Sequence, residues 1–161
     1  MRTVWTAAIM AFAVDQLSKL ILVQWMDLAT AGPFPVLPPY LVFTMGWNEG
    51  INFGLLSQSH DLTRWIFVAL AVVVSAALLR WSRRFRRPIA QVGAGLVVGG
   101  ALANALDRVI YGAVADYLNM SCCGIVNPYV FNLADVFIFA GAIALVLWAD
   151  EPGKTGGAKT P

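Results

Sequence analysis

Apolar residues run almost unbroken over Val4 to Trp25, Leu62 to Trp81, Pro88 to Leu106 and Leu133 to Ala149. Each run is close to the roughly 20 residues that a helix needs to cross about 30 Å of hydrocarbon. A helix also satisfies its own backbone hydrogen bonds, which lipid cannot do for it. The pattern therefore predicts four transmembrane helices. Between the first two runs, Tyr40-Leu-Val-Phe-Thr-Met45 is rich in β-branched and aromatic residues and follows Pro33, Pro35, Pro38 and Pro39. Gly46, Gly50 and Gly54 punctuate what comes next. A short strand is expected there, in a small sheet lying on the membrane surface rather than in a long structureless loop. The fold class read from the pattern is an all-α membrane protein with four transmembrane helices and a small β-sheet formed by the outer loops.

Composition agrees: 59% of the 161 residues are hydrophobic and 12% charged, with a mean hydropathy of +0.70. One integral membrane domain over residues 1–152 is expected, followed by a Gly/Lys/Thr tail at 153–161 that reads as disordered. A net charge of +2 without aromatics interleaved among the basic residues argues against a nucleic-acid partner. The basic residues bear on topology instead. Arg80, Arg83, Arg84, Arg86 and Arg87 crowd the connection between the second and third runs, while Met26 to Asp61 holds no Lys or Arg. By the positive-inside rule the arginine loop is cytoplasmic, both termini are cytoplasmic, and the loops at Met26–Asp61 and Arg108–Asn132 face outward. Trp5, Trp25, Trp65, Trp81 and Trp148 fall near the proposed span ends, where headgroups favour them. The first run is not a convincing cleavable signal, because Asp15 and Lys19 interrupt its apolar core.

Those interruptions are where chemistry is to be sought, since an ionisable side chain inside a span costs several kcal/mol, roughly 2.5 to 3.5 at mid-helix. Asp15 and Lys19, spaced i, i+4, can neutralise one another or brace an active site from beneath. Asn104, Asp107 and Arg108 share one helical face at the outer end of the third span, as an interfacial polar cap or as part of a site. Gly95, Gly99, Gly100 and Ala103 on that helix predict close helix packing of the small-xxx-small kind. Asp116 falls in the outer loop, and Asp135 opens the fourth span behind Asn132, a good helix N-cap. If spans three and four are neighbours, the two carboxylates can converge at one membrane depth. Two close carboxylates cannot both ionise easily, so one keeps a proton and the pair can activate water and protonate a leaving amine. Cys122 and Cys123 are adjacent; neighbouring residues close a disulfide only through a small strained ring, so they read as a local loop feature. With one distant histidine, His60, they do not make a zinc site.

Several segments together resemble the lipoprotein signal peptidases over nearly the whole chain. Val14-Asp15-Gln16-Leu17-Ser18-Lys19 is similar to that family's first-helix motif, and Asn48-Glu49-Gly50-Ile51-Asn52-Phe53-Gly54 to its Asn-x-Gly-x-x-Phe loop. Gly100 to Arg108 resembles the third motif, Gly112-Ala-Val-Ala-Asp116-Tyr the segment with the first catalytic aspartate, and Phe131-Asn132-Leu133-Ala134-Asp135 the segment with the second. The resemblance implies a multi-pass enzyme of the bacterial inner membrane with its active site near the periplasmic face. It would cut a diacylglyceryl-modified prolipoprotein N-terminal to the lipidated cysteine. Asp116 and Asp135 would be the catalytic dyad. Asn48, Gly50, Asn104, Arg108 and Asn132 would bind substrate or position the carboxylates, with Asp15, Lys19 and Asp107 bracing the polar network. It implies no metal or organic cofactor, membrane lipid as a partner, and a monomer. This chain has Ala103 where the family has Gly, Val136 where Ser is common, and an unusual outer loop from Asn119 to Pro128. The rival reading is a non-enzymatic transporter subunit or scaffold that uses the same polar residues to bind an ion or a helix.

Overall fold

The long apolar runs fold as helices packed side by side. The computed structural model describes residues 1–50, 60–125 and 127–149, so Ile51 to Gly54 of the first-loop motif and the tail at 153–161 lie outside the described residues. Helix α1 (Arg2–Lys19) continues as a π-helical segment (Leu20–Trp25) and is followed by a short α2 (Leu28–Ala31). Then come β1 (Phe34–Leu37), β2 (Leu41–Asn48), α3 (His60–Ser82), α4 (Pro88–Tyr111), β3 (Val114–Asn119) and α5 (Leu133–Trp148). Three helical stretches, Arg2–Trp25, Asp61–Ser82 and Pro88–Tyr111, have the length and apolarity to cross a membrane. The remaining expected span is present as α5, apolar but only 16 residues long, or about 24 Å at 1.5 Å per residue. Large apolar side chains such as Ile9, Val73, Phe139 and Val146 point outward along these helices.

Helix α4 is the centre of the bundle and packs against α1, α3 and α5. Small residues allow this. A Cβ at Gly95 would collide with the Val4 carbonyl and one at Gly99 with the Ala8 carbonyl, both on α1. On the opposite face, a Cβ at Gly100 would lie 2.6 Å from the Ala134 carbonyl of α5. The first two contacts make α1 parallel to α4, and the Gly100 contact together with Gly93 against the Gly141 carbonyl makes α5 antiparallel to it. At the arginine-loop end, Val4, Leu78, Phe85, Ala90, Ala94 and Val98 form a buried apolar cluster. The polar residues collect at the other end.

Helix α4 also extends beyond the apolar run that stops at Leu106. It takes in Asp107 and Arg108 and ends where Gly112, at φ 83°, donates its N–H to the Arg108 carbonyl. The next residues, read from sequence as loop, form β3 instead. Strand β2 pairs antiparallel with both β1 and β3, in the order β1-β2-β3, with Gly46 opposite Asp116 and Asn48 opposite Val114. The strand expected at Tyr40–Met45 is β2, running further, to Asn48. Tyr117 anchors the sheet in a cluster with Leu22 and Leu28, and Phe43 meets its ring edge-on at 6.3 Å.

The two cysteines form a local feature of the loop, as expected. Cys122 and Cys123 are joined by a disulfide at the tip of the β3–α5 loop. The backbone there turns tightly, with Cys123 at φ 59°, Gly124 at φ 81° and the Ile125 N–H on the Cys122 carbonyl, which brings the two sulfurs to the same side.

Candidate active site

Helix α5 begins with a reciprocal cap. Asn132 accepts the Asp135 backbone N–H at 3.0 Å, and the Asp135 carboxylate accepts the Asn132 backbone N–H at 3.2 Å. This capping box satisfies two of the helix's free N-terminal donors and fixes both side chains. The Asn132 amide N–H2 then reaches Asp116 Oδ1 at 2.6 Å and Asn104 Oδ1 at 3.2 Å. Asn104, one turn before the end of α4's polar face, donates to Asp135 Oδ1 at 2.9 Å. Asp116 and Asp135 are thus linked through Asn132 and Asn104, although 19 residues and a loop separate them in sequence.

Asp116 sits on β3, not in a solvated loop, and is 3% exposed. Its second oxygen accepts from Asn48 at the end of β2 at 3.0 Å. Asn48 is held by an Asx turn, accepting the N–H of Gly50, which takes φ 97°. A side chain at Gly50 would also strike the Phe67 ring at 2.6 Å, so glycine is required there on both counts. Burial pushes the Asp116 carboxyl up to about 6. The Asn48 hydrogen bond opposes this shift, the Asp135 charge adds to it, and the Asn132 bond and Lys19 oppose it. Asp116 also lines an open cleft of about 440 Å³ walled by Trp47, Asn48, Glu49 and Tyr129.

Beneath the two acids, Lys19 bridges Asp15 at 2.7 Å and Asp107 at 2.6 Å and donates to Asn104 Oδ1 at 3.2 Å. The neutral Asp15–Lys19 pair and the brace are therefore one structure, with Asp107 as a third member. Asp15 also accepts the Ala134 N–H at 2.8 Å, tying α1 to the start of α5. Asp107 accepts the Ala115 N–H at 3.2 Å, tying α4 to β3. Arg108 lies within electrostatic reach of Asp107, Asp116 and Asp135. It stacks over Phe67 at 4.8 Å, donates weakly to the Asn104 carbonyl at 3.4 Å, and leaves its Nε without a partner among the described residues.

Two contributors escaped the sequence reading. Gln16 donates to Asp107 at 2.9 Å and to the Ala103 carbonyl at 3.3 Å; a glutamine in an apolar run, one residue after Asp15, was the available signal. Tyr117, its hydroxyl pushed up to about 12 by burial, binds Ser18 on α1. Ser18 in turn donates to the Asp15 carbonyl at 2.6 Å.

Three helices long and apolar enough to cross a membrane, packed around a buried polar cluster that opens through Asp116 onto a surface cleft, define the class as a membrane protein with a candidate active site. The chain matches the family described as Signal peptidase (SPase) II over residues 7–149. It is 41% identical over 146 residues to a lipoprotein signal peptidase of Methylorubrum extorquens, covering 91% of this chain and 84% of that one. A lipoprotein signal peptidase of Caulobacter vibrioides is 38% identical over 144 residues, covering 89% and 83%. Among solved structures, a bacterial membrane enzyme determined by the in meso method at 1.9 Å has a TM-score of 0.78 at 26% identity, covering 95% of this chain and 96% of that one. A second, at 2.3 Å, has a TM-score of 0.76 at 25% identity, covering 100% and 96%. This chain belongs to the signal peptidase II family, and it is a peptidase.

Proposed function

We propose that this protein is an aspartic endopeptidase of the bacterial inner membrane, with Asp116 and Asp135 as its catalytic pair. It removes the signal peptide from diacylglyceryl-modified prolipoproteins by cutting N-terminal to the lipidated cysteine. The observation that supports the catalytic assignment is the Asp116–Asn132–Asn104–Asp135 linkage, which joins two acids in one hydrogen-bonded unit whose Asp116 lines a cleft.

The acyl chains of the substrate stay in the outer leaflet while its backbone lies in the cleft between β2 and the loop before α5. A water between the acids adds through oxygen to the scissile carbonyl carbon and gives one proton to the ionised carboxylate. The protonated carboxyl passes its proton to the departing nitrogen as the C–N bond breaks. The signal peptide leaves with a new carboxyl group, the mature lipoprotein with a free amine on its cysteine, and the pair again holds one proton. Asn48, Asn104 and Asn132 orient the acids, Gly50 shapes the turn that presents Asn48, and Arg108 holds substrate carbonyls. Asp15, Lys19 and Asp107 fix the helices that carry these groups. The protein acts as a monomer in which four helices span the bilayer, and the sheet lies at the periplasmic face.

The test is processing of a lipidated and a non-lipidated precursor by purified wild type, Asp116→Asn and Asp135→Asn. The expected result is cleavage of the lipidated precursor by wild type alone, with both variants at least a thousandfold slower. Undiminished turnover by either variant would overturn the aspartic assignment.

A further inference from the structure

Each amide at the site has its orientation imposed by a group that can only donate. The Asn48 oxygen faces the Gly50 N–H and the Asn132 oxygen faces the Asp135 N–H, so both N–H2 groups must turn toward carboxylates. Asn104 differs, because no backbone N–H fixes it. Its oxygen receives the Lys19 ammonium at 3.2 Å and the Asn132 amide at 3.2 Å, which leaves its N–H2 aimed at Asp135. An ammonium has three protons and no acceptor. With Lys19 in place a flipped Asn104 would set its N–H2 against that cation.

The two acids are not equivalent in this frame. Asp135 lies in the first turn of α5, where the helix dipole favours a negative charge. It accepts one backbone N–H, which cannot reorient, and one amide N–H locked by a cation. Asp116 accepts only side-chain amides, one of them from Asn48 at the exposed end of β2. Asp116 is also the buried member of the pair.

We propose that Lys19 is a positioning residue for catalysis which, by locking the Asn104 amide, holds Asp135 as the ionised base and leaves the resting proton on Asp116. This rests on the aspartic reading above. The charged neighbours are consistent with it. Helix α1 contributes Lys19 and Asp15, which offset one another; α4 contributes Asp107, also paired to Lys19, and Arg108, within reach of both acids. Helix α3 contributes Arg64, which is turned to the Val109 carbonyl, and Glu49 lines the same cleft as Asp116.

The test is infrared titration of carboxyl groups in the full-length protein in lipid nanodiscs, for wild type and for single variants, without substrate. On acidification the wild type should show a protonated-carboxyl band that Asp116→Asn removes and Asp135→Asn retains. The reverse pattern would overturn the assignment, whether or not the dyad performs the cleavage tested by the precursor assay. Lys19→Met removes one of the two donors to the Asn104 oxygen and leaves the Asn132 amide alone to hold it, so the Asn104 N–H2 is fixed less firmly on Asp135. In that background the band should become sensitive to Asp135→Asn, and kcat should fall at least tenfold with KM within twofold, because Lys19 touches no substrate. Lys19→Arg, which keeps a cationic donor, should recover most of kcat. A Lys19→Met enzyme that gives less inserted protein, but whose folded fraction has wild-type kcat and an unchanged band, would show a structural brace only. Should that variant not insert, Asn104→Asp keeps a partner for Lys19 and removes the N–H to Asp135. It should lower kcat equally, and a wild-type kcat there would overturn the proposal.

Discussion

Burial of the Asp116 carboxyl has a cost in stability. The chain holds this carboxyl at about 6 against an ordinary value of 3.8, chiefly by burial. A raised acid binds its proton more tightly folded than unfolded, so its contribution is fully present below the ordinary value and is lost as pH rises through about 6. That rise corresponds to about 3 kcal/mol at pH 7, as an order of magnitude. Asp116→Asn removes that cost but sets its own N–H2 against one of the two amide donors, Asn48 or Asn132, that Asp116 accepts, so the readout is the pH dependence: the melting temperature of the variant relative to wild type should rise between pH 4 and pH 7. Thermal unfolding in detergent at the two pH values checks this, and a difference that does not change with pH would contradict it. The Asn48 bond opposes the raised value. In wild type, kcat/KM should fall as pH rises through about 6, when the pair loses its shared proton, and Asn48→Ala should move that fall to higher pH. Asp15, Lys19, Asn104 and Asp135 were legible in the sequence because each is anomalous in an apolar run, whereas Asn48, Asp116 and Asn132 lie outside those runs and stood out only through the motifs that hold them. Their partners were not legible: Asp15 and Lys19 look self-sufficient at i, i+4, and nothing local reveals that Asp107 closes the triad.

The elements place these residues through backbone proximity that only small side chains permit. Gly100 faces the Ala134 carbonyl, one residue before Asp135 and one turn before Asn104. Gly99, one residue earlier, faces α1. A larger side chain at either position must push a helix aside, and overpacking of this kind costs roughly 1 to 3 kcal/mol. The consequences should differ. Gly100→Val separates α4 from α5 and stretches the Asn104–Asp135 bond, so activity should fall at least tenfold more than stability alone explains. Ile89→Val, on a lipid-exposed position at the far end of α4, should leave both unchanged. Precursor cleavage normalised to folded protein measures the difference. Helix positions and close packing could be read from hydropathy and the glycine pattern. Strand β3 could not, because Val-Ala-Asp-Tyr-Leu-Asn does not alternate and its partner strand lies some 70 residues earlier in the chain. Asp116 therefore reads as a loop residue until β2 is paired beside it. The bounds of α5 were legible on both counts, because the apolar run from Leu133 to Ala149 begins directly behind the Asn132 cap.

Across the whole molecule, charge and site occupy opposite ends of α4. Its 24 residues span about 36 Å at 1.5 Å per residue, close to the full thickness of a bilayer. Arg83, Arg84, Arg86 and Arg87 precede its first turn, and β3 with Asp116 follows its last. Parallel packing puts the start of α1 at the arginine end, and antiparallel packing puts the end of α5 there too. Arginine-rich connections are retained on the cytoplasmic side, and on that ground we propose one orientation for every element: arginine loop, start of α1 and end of α5 inside, sheet and acids outside. A lipid-anchored cysteine in the outer leaflet is then level with the cleft, which an inverted chain could not offer to a secreted precursor. Alkaline phosphatase, which folds only outside the cytoplasm, should be active when fused after Asn119 and inactive when fused after Arg87. A fluorescent protein fused after Trp148 should be bright. Phosphatase activity at Arg87 would invert the assignment and put the carboxylates on the wrong face for the proposed substrate, so the topology and the cleavage reaction stand or fall together at that fusion.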